Sequence, residues 1–302
     1  MTPTISLSGL TRRYRDQLAL DDVSLDIEGA AITGLLGRNG AGKTTLMRIV
    51  AAQEFATAGS VQVLGASPVE NDAILRRIVL VREDQTYPDL KVRQALRLAS
   101  WFYPNWSAEL AATLVAESEL PANRSVGALS RGMRTALGNV IGLAARAEVT
   151  LFDEPYAGLD AAARQHFNDR LLADYTEHPR TVVLSTHLID EVAGLLERVV
   201  LIERGRIVLD AAADEIRGSA TRVSGPTAAV ERFVAGRPTW DRRTIVSQTS
   251  VVLAAKLDEA DRAGARAQRL SLEPVSLQQL IVYAAGGAAA PFADESREGT
   301  LA

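Results

Sequence analysis

Three short stretches hold residues whose types and spacing suit phosphate chemistry. The first, GRNGAGKT, runs from Gly37 to Thr44 and fits the pattern G-x-x-x-x-G-K-[ST]. Gly37, Gly40 and Gly42, with Asn39 and Ala41 between them, let successive backbone N–H groups turn inward around phosphate oxygens. Lys43 adds a full positive charge, the hydroxyl of Thr44 can reach a Mg²⁺ ion, and Thr45 continues the run. The second stretch, VTLFDEP (Val149 to Pro155), is an apolar run that ends in two adjacent carboxylates. Asp153 suits an outer-sphere or water-mediated Mg²⁺ contact, and Glu154 suits a general base that polarises an attacking water. The third, LSRGM (Leu129 to Met133), taken alone predicts a serine N-cap opening an amphipathic helix. The first two together predict a nucleoside triphosphate site.

These residues need elements to hold them. Ile32–Leu36, Ile78–Val81, Val149–Phe152, Thr181–Ser185 and Val199–Ile202 predict buried strands, each a short apolar run bounded by turn or charged residues. Helical stretches such as Thr44–Gln53 and Ala161–Thr176 lie between them. That alternation predicts an α/β fold with a mostly parallel sheet and helices on both faces. In it the phosphate loop joins a strand to a helix whose positive end faces the phosphates. From about Leu90 to Gly127 the pattern is wholly helical, which predicts an insertion carrying the aromatic run Trp101, Phe102, Tyr103 and Trp106. Around Arg217–Ser219 the rhythm changes. Strand 221–224, helix 227–235, strands within 244–256, helix 258–268, strand 270–272 and helix 276–284 predict a small two-layer α+β unit. Residues 286–302 are small and polar enough for a loose tail.

The order and spacing of GRNGAGKTT, ALSRGM, LFDEP, AGLD and STH resemble the ATP-binding cassette (ABC) ATPase family over about residues 4–216. The resemblance implies a P-loop NTPase core with a small antiparallel β subdomain and a helical subdomain at about 88–145. It implies a 1–216 nucleotide-binding domain, a 217–285 accessory domain and the 286–302 tail. The family's signature is Leu-Ser-Gly-Gly-Gln; Leu129, Ser130 and Gly132 keep it, while Arg131 and Met133 depart from it. The family pattern implies that Ser130 and Gly132 meet the γ-phosphate of ATP held by an opposite protomer. It implies that Asp160, in Gly158-Leu159-Asp160, couples the two ATP sites. His187 takes the place of the histidine that bonds the γ-phosphate, and Tyr14 that of the aromatic that stacks on adenine.

One segment departs further. Ile78 to Val92 resembles the part of the family that carries a glutamine for Mg²⁺ and the attacking water. Aligned on Tyr87-Pro88, Arg82 stands at the glutamine position. Arginine has no acceptor, so the metal contact is expected to pass to Glu83, with Gln85 as the alternative if the loop is shifted.

Composition narrows the function classes. Of 302 residues, 47% are hydrophobic and 23% charged, enough for a sizeable core. The absence of cysteine removes disulfides, thiolate metal sites and cysteine nucleophiles. A net charge of −4 provides no global basic field for nucleic acid. No secretory signal is visible, and the longest uncharged run, Pro274–Ala293, is broken by Gln278, Gln279, Gly286, Gly287 and Pro291, poor material for a membrane span. The expectation is an ATP- and Mg²⁺-using subunit, peripheral on the cytoplasmic face of the membrane. It would energise a separately encoded transmembrane permease, paired with a second copy of itself or a sister cassette, and it resembles exporter cassettes. The alternatives are a soluble ABC ATPase acting on ribosomes or DNA, and a binding module that does not hydrolyse ATP.

Overall fold

The computed structural model describes residues 3–83, 85 and 90–285. The expected tail, 286–302, lies outside these residues, as do Tyr87 and Pro88. Contacts divide the chain into two units after Asp210, ahead of the expected boundary at 216/217.

The first unit holds strands β1 (Ile5–Tyr14), β2 (Gln17–Ile27), β3 (Ile32–Leu36), β4 (Ala58–Val63), β5 (Ile78–Arg82), β6 (Val149–Asp153), β7 (Thr181–Thr186), β8 (Arg198–Glu203) and β9 (Arg206–Ala212), the last running across the division. A six-stranded sheet has the order β5-β6-β7-β3-β8-β9, and β5, β6, β7, β3 and β8 pair in parallel. Every residue of β3, β6 and β7 is buried, as strands covered on both faces require. A second, antiparallel sheet has the order β2-β1-β4. Ile5, Leu7 and Leu25 from that sheet share one core with Met47 and Val50 of the helix Lys43–Val50 and with Leu35, Leu151 and Val183 of the parallel sheet. The opposite face of the parallel sheet receives helices Arg131–Ala144 and Ala161–Glu177. There Phe152 meets Phe167 edge to face at 5.2 Å, and Asn139 donates to the Pro155 carbonyl at 2.9 Å.

The expected helical insertion holds helices Val92–Phe102 and Ala108–Glu117, the latter capped by the Ser107 hydroxyl, which accepts from the Leu110 N–H.

The second unit holds β10 (Thr221–Pro226), β11 (Thr239–Ile245), β12 (Gln248–Leu253) and β13 (Ser271–Pro274) in the order β11-β12-β10-β13, all antiparallel. Helix Thr227–Val234 links β10 to β11, and helix Glu259–Ala267 links β12 to β13, which is the split βαβ arrangement of ferredoxin-like folds. Val223, Val251 and Leu253 meet Val230, Phe233 and Ala265 beneath those helices. On the other face Trp240, paired in register with Val252, lies 5.1 Å from the Tyr283 ring of helix Leu277–Ala285.

Candidate active site

The carboxyl ends of β3, β6 and β7 lie side by side, because β7 is hydrogen-bonded between the other two. The loop after β3 therefore opens beside the residues that follow β6 and β7, the usual place for a ligand in an open α/β sheet. Gly42 caps helix Lys43–Val50 at φ 113°, and no side chain caps that end. A Cβ on Gly42 would stand 2.6 Å from the Ala19 carbonyl oxygen, so the turn demands glycine twice over. The first N–H groups of the helix are left for an anion.

Lys43 is only 6% exposed. Its ammonium donates to the carbonyls of Gly37 at 2.7 Å and Arg38 at 3.2 Å, and lies 3.9 Å from Glu154 Oε1. Burial pulls its pKa below the ordinary lysine value, against the opposing pull of Glu154 and Asp153. A phosphate accepting from this ammonium would replace carbonyl dipoles by full negative charge.

Asp153 is 4% exposed and doubly held. The Thr44 hydroxyl donates to its Oδ2 at 2.7 Å and the Ser185 hydroxyl to its Oδ1 at 2.6 Å. Ser185 and Asp153 face each other in the β6–β7 register, which fixes the carboxylate by backbone pairing. Hydroxyl and carboxylate oxygens beside a phosphate loop are the hard donors that Mg²⁺ takes together with substrate phosphates, so this pair fits that ion. Among the described residues no cluster of three or more His, Cys, Asp or Glu could hold a metal by protein ligands alone.

Glu154 has φ 54°, a left-handed conformation unusual for a side chain of this size, and its N–H donates to the Ser185 carbonyl at 2.9 Å. That turn aims the carboxylate across the sheet end. His187 Nδ1 lies 2.9 Å from Glu154 Oε2. The structure thus gathers Lys43, Thr44, Asp153, Glu154 and His187 around one opening. Tyr14 and Thr45, with Gln17, Ala19, Gly40, Gly42, Lys43 and Thr44, line a cavity of about 210 Å³ there. The Arg12 guanidinium lies over the Tyr14 ring at 4.4 Å and is itself held by Glu54 at 2.8 Å.

Ser185, Gln17, Ala19, Arg12 and Glu54 were not singled out from sequence. Ser185 had a usable signal, since it precedes His187 at a strand end, whereas Arg12 and Glu54 meet only through the fold.

Ser130, Gly132 and Asp160 form a second group. Ser130 Oγ accepts from the Met133 N–H at 3.2 Å and caps helix Arg131–Ala144. Asp160 Oδ1 accepts from the Ala163 N–H at 2.8 Å and caps helix Ala161–Glu177. A Cβ on Gly132 would stand 2.5 Å from the Gly158 carbonyl oxygen, so the two turns touch backbone to backbone.

The segment after β5 gives the two residues expected near the metal partners of their own. Arg82 faces Asp153 in the β5–β6 register. The Glu83 carboxylate pairs with Arg131, and the Gln85 side-chain oxygen accepts from the Arg82 N–H at 3.4 Å. Neither expected metal ligand is joined to the Thr44–Asp153 pair. The reason is local: a nearby guanidinium claims Glu83, and the tight turn after the strand occupies Gln85.

The family model described as ABC transporter matches residues 20–157. The phosphonates import ATP-binding protein PhnC 1 of Natronomonas pharaonis is 34% identical over 215 residues, covering 68% of this chain and 92% of that protein. The doxorubicin resistance ATP-binding protein DrrA of Mycobacterium tuberculosis is 34% identical over 207 residues, 66% of this chain and 62% of its own length. The dimeric structure of the bacterial ABC transporter cassette MJ0796 shares the fold at TM-score 0.61 and 23% identity, covering 69% of this chain and 98% of that chain. The chain belongs to the ATP-binding proteins of ABC transporters. It is an ATPase cassette of that family.

Proposed function

We propose that this chain is an exporter-type cassette that binds and hydrolyses ATP as one member of a head-to-tail pair. A second copy or a sister cassette completes the pair, at the cytoplasmic face of a membrane and against a separately encoded permease. The observation that carries the reading is the gathering of Lys43, Thr44, Asp153, Glu154 and His187 at the ends of three adjacent strands. In this reading Gly37 to Thr45 cradle the phosphates and Lys43 neutralises their charge. Thr44 and Asp153 are the residues that would hold Mg²⁺, whose charge would offset that of the phosphates. Glu154 takes the proton of the attacking water, and His187, bonded to Glu154, keeps that carboxylate oriented toward the γ-phosphate. Ser130 and Gly132 serve the partner's nucleotide. Asp160 links the two sites.

Among the described residues no helix is long and apolar enough to cross a membrane. Leu98, Trp101 and Phe102 stand exposed on helix Val92–Phe102 and offer that partner an apolar contact. The exporter reading draws support from the second unit after Asp210 and from relatives such as DrrA, named for doxorubicin resistance.

Glu154→Gln keeps the shape of the side chain and removes the base, so ATP binds and persists. Size-exclusion with Mg-ATP should show that variant as a dimer and the nucleotide-free protein as a monomer. A variant that remains monomeric at saturating ATP, alone and with its membrane partner, overturns the head-to-tail reading.

A further inference from the structure

Arg131 joins three parts of the molecule that the chemistry above treats separately. It is the first residue of helix Arg131–Ala144, directly after the capping Ser130. Its guanidinium pairs with Glu83, 48 positions away and next to the end of β5. Its aliphatic stem lies over the turn at Gly158, where an added Cβ would stand 3.2 Å from Arg131 Cγ and 3.4 Å from Cδ. The neighbouring residue on the strand side, Arg82, faces Asp153 in register. One side chain therefore touches the serine turn, the Gly158 turn and the strand end beside the carboxylate that holds Thr44.

Stability does not explain the arrangement. Arg131 is 63% exposed and Glu83 39%, and ion pairs this open to water contribute little to folding. The serine turn and the Gly158 turn are already tied by the Thr135 hydroxyl, which donates to the Ala157 carbonyl at 2.7 Å, and by Gly132 against Gly158. What this pair adds is the orientation of Glu83 and the end of β5 relative to them.

We propose that Arg131 is a positioning residue of the ATPase: it holds Glu83 across the gap and, lying on Gly158, keeps the serine turn, the Gly158 turn and the end of β5 in one register. This rests on the ATPase reading given above. The side chain touches no reacting atom; it acts through Glu83 and the Gly158 backbone.

The test uses the full chain, with steady-state ATPase kinetics and amide hydrogen exchange on the wild type, Glu83→Gln, Arg131→Gln, Arg131→Lys and the swapped pair Glu83→Arg/Arg131→Glu. Each Gln variant should lose about fivefold in kcat, the upper reach of so exposed a pair, with KM for ATP changed less than about twofold. Arg131→Lys and the swapped pair should recover most of the loss, because each restores opposite charges. Exchange at the 156–160 amides should rise in both Gln variants and fall back in the swapped pair, a readout that needs no turnover. Gln variants that keep or exceed wild-type kcat overturn the proposal. So does a swapped pair no better than the single variants, or unchanged exchange at 156–160. A wild type that binds no ATP would instead defeat the ATPase reading, and the exchange pattern would still decide the role of Arg131.

Discussion

The phosphate-loop side of the cassette and the signature side differ in the material that holds them. Around the phosphate loop, Lys43 and Asp153 are nearly buried, Thr44 and Ser185 pin the carboxylate by direct hydrogen bonds, and Glu154 sits at a strained φ set by its bond to the β7 backbone. On the signature side the outer fixtures are two helix caps, a contact between glycine backbones and an exposed ion pair. Beneath them the Thr135 hydroxyl and Asn139 amide donate to the Ala157 and Pro155 carbonyls. The first side is preorganised within one chain, as electrostatic catalysis requires. The second presents turns at the surface, the arrangement that the proposed head-to-tail pairing calls for. If that contrast is right, substitutions on the first side abolish turnover without disturbing assembly of the fold, and those on the second weaken closure.

The largest effect should come from Lys43. Lys43→Met should abolish ATP hydrolysis and weaken ATP binding, because the loop's remaining donors are backbone N–H groups. Stability should change little, since the variant removes a charge that burial disfavours together with that ammonium's hydrogen bonds to the Gly37 and Arg38 carbonyls. The sign of the pH effect follows. Burial holds the folded-state pKa of Lys43 below its unfolded value, so the unfolded chain binds the proton more tightly between the two. Wild-type stability without nucleotide should therefore gain with rising pH through that alkaline window relative to Lys43→Met. Thermal melts of both proteins across pH 8 to about 10.4, the ordinary lysine value, would check this. A variant that melts far below the wild type at neutral pH would show that Lys43 supports the fold.

A smaller effect tests the other side. Gly132→Ala pushes a methyl group against the Gly158 carbonyl, which is backbone and cannot rotate away. Overpacking of this kind costs about 1–3 kcal/mol. The expected result is a lower melting temperature together with loss of the ATP-dependent dimer of Glu154→Gln. ATP binding by the single chain should remain, because Gly132 is absent from the residues around Lys43. Loss of single-chain ATP binding would erase the proposed separation of the two sides.

The same contrast governs what could be read from sequence. The parallel strands were legible because burial on both faces leaves unbroken apolar runs; Thr181–Ser185 differs from the strand Thr181–Thr186 by one residue. Lys43, Thr44, Asp153 and Glu154 were legible because a phosphate loop and a strand-end carboxylate pair constrain local sequence. The antiparallel strands β1 and β2 were harder, since exposed residues interrupt their alternation and register shifts follow Leu7 and Leu10. In the second unit the edge strand β11, TWDRRTI, is half charged or exposed, and the Val246–Ser247 turn lacks the glycine or asparagine that marks a hairpin. The expected strands within 244–256 accordingly fall as a hairpin of 239–245 and 248–253. Arg131–Glu83 was illegible for a different reason. Long-range pairs of exposed charges leave no periodic trace in one chain.

The smallest expected effect concerns the edge of the first side, where Tyr14 is 37% exposed. One face of its ring is covered by Arg12, which Glu54 holds in place, and the residue also lines the cavity beside Lys43. An aromatic in that position can stack on a base with little demand for a specific one. If it does so here, Tyr14→Ala should raise KM for ATP about fivefold, the low end expected for stacking at an open site, with kcat held. Tyr14→Phe should stay near wild type, because the ring rather than the hydroxyl makes the contact. Arg12→Ala should fall between the two, since it frees the ring to turn without removing it. Competition with other nucleoside triphosphates sharpens the test: a stacking platform should lose affinity for all of them in parallel when the ring is removed. Should Tyr14→Ala leave every KM unmoved while lowering the melting temperature, the ring is only packing for the β1–β2 hairpin, and the nucleotide is held by its phosphates alone.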